Sequence, residues 1–152
     1  MKYDIKPYDN EKTKGFYVWN KPTFFVNKND ERYEKLIKQK ADTGISEDET
    51  WDLRTNIAIF LVPRLKLFKD IQNDFGGYPG CFKNKEEWHE ILDKMIFAFD
   101  AYLKDDFYVP DKYLEKYSEY DYDRTSKARD DYWTDIQEGL NLFAKYFGCF
   151  WW

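Results

Sequence analysis

The longest run of periodic apolar positions lies between Trp51 and Phe75. Leu53, Ile57, Phe60, Leu61, Leu65, Phe68 and Ile71 recur at steps of three and four, which is one face of an α-helix. Pro63 falls in the middle. It removes one ladder bond and crowds the turn before it, so the pattern predicts one kinked helix or two abutting ones. A second stripe, Trp88, Ile91, Leu92, Met95, Phe99 and Leu103, predicts a helix over 85–104. A third, Trp133, Ile136, Leu140, Phe143, Ala144 and Phe147, predicts one over 126–147. Tyr33, Leu36 and Ile37 mark a shorter helix over 31–41.

Capping chemistry sets the ends. Asp30 can cap the short helix and Gly44 follows it. Ser46 to Glu49 reads as a capping box, with acids in the first turn, which starts the first long helix at about 47 and gives it the range 47–75. Gly76-Gly77-Tyr78-Pro79-Gly80 ends it in a turn. Asn84 with Glu87 three residues on is a capping box in amide form. Pro110 suits the start of a short helix in DKYLEKY, and YSEYDYDRT reads as a surface loop. Gly139 lies inside the third long helix, where glycine costs about 1 kcal/mol against alanine; a small residue there lets another helix come close. Before residue 31, GFYVW and TFFVN flank an Asn20-Lys21-Pro22 break, a short hairpin or two extended arms. The expectation is an all-α fold: a bundle of three main helices with a short extra helix and an extended N-terminal arm. Length fits a single domain, 1–152, with an aromatic arm over 1–30 and a helical core over 31–152.

Composition narrows the class. The chain is 43% apolar, 35% charged and 21% aromatic, and a chain so rich in aromatics is not a disordered one. Net charge is −5, from 29 acids against 24 bases and interspersed with them. That argues against a nucleic-acid backbone as partner, and equally against an acidic mimic of one. Cys81 and Cys149 lack partners at metal-ligand spacing, so no zinc site is expected; one disulfide is possible but unforced. No apolar run reaches spanning length, so the reading is a cytoplasmic protein without a membrane segment.

Candidate chemistry is sparse. The tandem glycines lack the spacing of a phosphate loop. Glu86 and His89 form E-x-x-H, but di-iron bundles need two such motifs and the chain has one histidine, so His89 reads as a partly exposed helix-face residue. No nucleophile–base signature occurs. The expectation is therefore no catalytic residue, no metal, no cofactor and no enzyme. Arg64, Lys66 and Lys69 follow Pro63, and Tyr78 lies just past the helix end. Arg64, Lys69 and Tyr78 are the candidate ligand-binding set, a cationic fork with an aromatic plate. Positions 64 and 69 lie about 140° apart around a helix, so they flank a surface. Phe150, Trp151 and Trp152 form a terminal apolar cluster, a candidate interface for a homo-oligomer.

One resemblance adds to this. The order Trp51-Asp52-Leu53, Pro63-Arg64-Leu65, Tyr78-Pro79, Glu86-Glu87-Trp88, Ile91-Leu92-Asp93-Lys94-Met95, Phe99, Glu138-Gly139-Leu140 and Phe143-Ala144-Lys145-Tyr146-Phe147 resembles a widespread group of small, uncharacterised phage and prophage proteins. The match runs over roughly 48–152. Where the group carries an acid after its W-x-L unit, Arg54 stands here. The resemblance implies a helical domain of phage origin working in the host cytoplasm. The expected function is a small non-enzymatic accessory protein that binds and inhibits a host component, an anti-phage defence protein or its nucleotide signal. The partner would be a host protein or a nucleotide-type small molecule. The alternative is a phage structural or assembly protein, or an accessory of nucleic-acid metabolism.

Overall fold

The structure, a computed structural model, describes residues 29–104 and 106–151. Its order is α1 (Tyr33–Thr43), a 3₁₀ turn (Glu47–Thr50), α2 (Leu53–Phe75), α3 (Lys85–Ala101), α4 (Asp111–Leu114), α5 (Arg124–Lys145) and a closing 3₁₀ turn (Phe147–Cys149). The fold is all-α, and no strand occurs among the described residues. The expected arm over 1–30 lies almost wholly outside them. Packing divides the chain into two compact units, Met1–Pro63 and Arg64–Trp152. The division falls inside α2, which runs as a single helix with Pro63 within it.

In the first unit, Gly44 closes α1 in the left-handed conformation, φ 80°, with its N–H on the Lys40 carbonyl at 2.8 Å. Only glycine enters that region without steric cost. The Glu49 carboxylate accepts from the Ser46 N–H at 2.9 Å, as a capping box requires. It also takes the Lys40 ammonium, while Glu47 takes Lys35 at 2.7 Å. The turn that this box starts is 3₁₀, not the first turn of α2. The helix begins afresh at Leu53, where Asp52 caps it by accepting from the Thr55 N–H at 3.3 Å. The expected start at 47 is thus corrected by one capping site.

The apolar face of α2 is also corrected. Ala58, Ile59, Val62 and Leu65 are buried, while Leu53, Ile57 and Phe60 are about half exposed. The segment Ile57 to Val62 is apolar all round, so periodicity alone does not choose its inner side.

In the second unit α3 and α5 pack along their length. Gly139 is the reason they come close: a Cβ there would strike the Lys94 carbonyl oxygen and lie 2.5 Å from the Ala98 Cβ. The buried face of α5 is accordingly Ala128, Tyr132, Ile136 and Gly139. The expected stripe shares Ile136 with this face, while Trp133, Ala144 and Phe147 lie off it, because the close approach at Gly139 fixes which line of α5 meets α3. Trp133 stacks edge-on against Tyr102 at 6.0 Å. Helix α4 covers the other end. Its Tyr113 is buried, meets Tyr132 at 5.2 Å and donates its hydroxyl proton to Asp135.

Candidate functional site

The second half of α2 and the first half of α3 form an antiparallel hairpin. Gly76, φ 71°, ends α2 with its N–H on the Gln72 carbonyl at 2.8 Å. Asn84 opens α3, accepting from the Glu87 N–H at 2.8 Å, and the Glu87 carboxylate reaches back to the Lys83 N–H at 2.9 Å. The hairpin is bolted from inside by Trp88, fully buried, whose indole N–H donates to the Gln72 side chain at 2.5 Å. Neither polar atom could be buried without the other.

Outside that bolt the same two helices carry a polar strip. Lys69 reaches Asp93 at 2.5 Å, and Lys85 reaches Asn73 at 3.2 Å. Between them sits His89. Burial holds its pKa below the ordinary histidine value, and the Lys69 and Lys85 ammonium groups push the same way against weaker pulls from Asp93 and Glu86. The ring is therefore neutral at pH 7. Its Nε2 is enclosed and finds no hydrogen-bond partner among the described residues. The charges of two lysines thus act on one neutral imidazole. An anionic group held between the two lysines would offset their like charges.

This grouping differs from the one read from sequence. Lys69 belongs to it. Arg64 is exposed a turn and a half earlier on α2, on another side of the helix. Tyr78 is exposed in the turn beyond Gly76. Lys85 and His89 are the residues of this grouping that the sequence reading did not include. Their spacing of four on α3 was a usable signal, because a Gly/Pro turn folds α3 back beside α2 and brings Lys69 to the same face. Asp93 is engaged by Lys69, and Glu138 by Lys94 at 2.6 Å.

The candidate interface divides as well. Phe150 folds inward, with ring centroids 5.7 Å from Phe68, 5.3 Å from Phe143 and 6.2 Å from Trp88. Trp151 is exposed, and Trp152 lies outside the described residues. No described helix is long and apolar enough to cross a membrane. No protein-family model, curated protein or solved structure matches this chain.

Proposed function

We infer that this chain is a small binding protein of phage origin, and that its α2–α3 hairpin takes a phosphate-bearing or acidic ligand without altering it. The phage setting rests on the resemblance over 48–152. The target, on that footing, is a host component: a defence protein, or the nucleotide signal it answers to. The observation that carries the ligand class is the pair of cations, Lys69 and Lys85, whose charges both act on the His89 ring. Asp93 shields Lys69, so a ligand has to out-compete one carboxylate. A phosphate, with more charge and three acceptor oxygens, can do so where a neutral group cannot.

His89 is the single histidine of the chain, so its ring protons report in nuclear magnetic resonance without assignment. Linear and cyclic nucleotides, titrated in turn, should raise the His89 pKa, since a bound anion favours the imidazolium. Affinity should then increase as pH falls through that pKa. Lys69→Ala and Lys85→Ala should each weaken binding about tenfold or more, the loss of one charge-assisted contact. A nucleotide that binds while the His89 signal stays still would refute this site. If no nucleotide binds, the hairpin's target is a protein surface.

A further inference from the structure

A pentapeptide pattern, Tyr-x-Gly-Cys-Phe, occurs twice in the chain: Tyr78-Pro79-Gly80-Cys81-Phe82 in the α2–α3 turn, and Tyr146-Phe147-Gly148-Cys149-Phe150 at the C-terminal end of α5. Both cysteines of the chain lie in these copies. The fold brings the two copies together. Phe82 is buried with its ring 4.9 Å from Tyr146 and 4.9 Å from Trp88. Trp88 in turn meets Phe150 at 6.2 Å. The residue after each cysteine therefore enters one aromatic cluster, and Tyr146 of the second copy touches Phe82 of the first. Cys149 is held at this place by its own N–H, which bonds the Tyr146 carbonyl at 2.8 Å. Cys81 lies near enough to act on this thiol and, after burial, helps to raise its pKa. Both are free thiols, Cys81 exposed and Cys149 partly covered. Gly80 and Gly148 precede them with open space where a Cβ would be, which leaves the backbone room to settle into disulfide geometry.

We propose that Cys81 and Cys149 are a reversible dithiol–disulfide pair, a redox latch that ties the α2–α3 turn to the C-terminal end of the chain. The oxidant is a small-molecule disulfide. Exposed Cys81 attacks first as its thiolate, having given its proton to solvent. The small disulfide's S–S bond breaks, one small thiolate leaves, and a mixed disulfide forms on Cys81. Cys149 then loses its proton, and its sulfur attacks the Cys81 sulfur, expelling the second small thiol. Two protein thiols are oxidised and one small disulfide is reduced to two thiols, so electrons and protons balance. Burial and the neighbouring Cys81 push the Cys149 thiol pKa up, which suits the order: the covered thiol waits, the exposed one reacts.

The full-length protein would be equilibrated in a series of reduced and oxidised glutathione ratios, quenched by alkylation and weighed intact. The expected oxidised product is a monomer that has lost the mass of two hydrogens, resists alkylation at both cysteines and yields a linked peptide joining 81 to 149. Its melting temperature should rise by about 5–15 °C over the reduced form, because the link closes a long loop of the unfolded chain. Cys149→Ser should stop at a stable glutathione adduct on Cys81, since the resolving thiol is gone. Three outcomes would each overturn the proposal: a wild-type protein that accumulates the same adduct, one that forms only linked dimers, or one whose thiols both stay free at an oxidising ratio.

Discussion

At the scale of single residues, Gly139 shows how two opposing magnitudes decide a sign. Alanine in its place gains about 1 kcal/mol of helix propensity. Yet its Cβ would meet the Lys94 carbonyl and the Ala98 methyl group, and one of those is backbone that cannot step aside. Overpacking of this kind costs about 1–3 kcal/mol or more. Gly139→Ala should therefore destabilise the protein, and a variant as stable as wild type or more so in denaturant titration would show that α3 and α5 can separate freely. Trp88 is decided by burial and one bond. Trp88→Ala should cost about 3–5 kcal/mol, as for deletion of a buried large aromatic. Trp88→Phe keeps most of the volume but strands the Gln72 oxygen, a loss of about 1–3 kcal/mol; an unchanged unfolding midpoint for that variant would deny the bond any weight. Both residues were legible in the sequence, Gly139 as a small residue where a helix could approach and Trp88 as the head of a stripe. Lys85 was legible only in its spacing from His89, because its nearness to Lys69 exists only once a turn has placed a second helix beside it.

Helices were legible as existing objects and less so at their ends and inner faces. All three long helices and the short first one form where the stripes put them, since their periods are long and their caps are real. Asn84 is the clearest cap, and its bond to the Glu87 N–H is made. Asn84→Ala should cost about 1 kcal/mol, while Asn84→Asp should restore the loss; equal stability for alanine and wild type in thermal melts would mean that tertiary packing alone fixes the start of α3. The misread faces have one physical cause. In α2 the stretch Ile57 to Val62 offers apolar groups in every direction, and in α5 the inner line runs through Ala128, Tyr132, Ile136 and Gly139, of which Ala128 and Gly139 carry little hydrophobic signal. A pattern weighted by side-chain size passes over such residues, although Gly139 is where the two helices come closest.

For the molecule as a whole, the buried tyrosines set the alkaline limit of stability. Burial pushes the Tyr132 phenol up to about 12 from an ordinary 10.0, with the charges of Tyr108 and Asp100 adding to it. Tyr113 is raised too, first by burial and then by its bond to Asp135, where a phenolate would face a carboxylate. The folded state thus holds these protons more tightly than the unfolded chain does. Below pH 10 both states keep them and the stabilisation is whole. Between about 10 and 12 the unfolded chain ionises first, so stability drains away through that window. Ion pairs made by lysine, such as Lys94–Glu138 and Lys116–Asp131, weaken over the same range, and a wild-type melt alone cannot separate the two causes. Tyr132→Phe can, because it leaves every lysine in place. It should start somewhat less stable and then lose stability less steeply with pH, so that the two melting curves converge above pH 10. Parallel curves from pH 8 to pH 11 would assign the alkaline loss to the lysines instead.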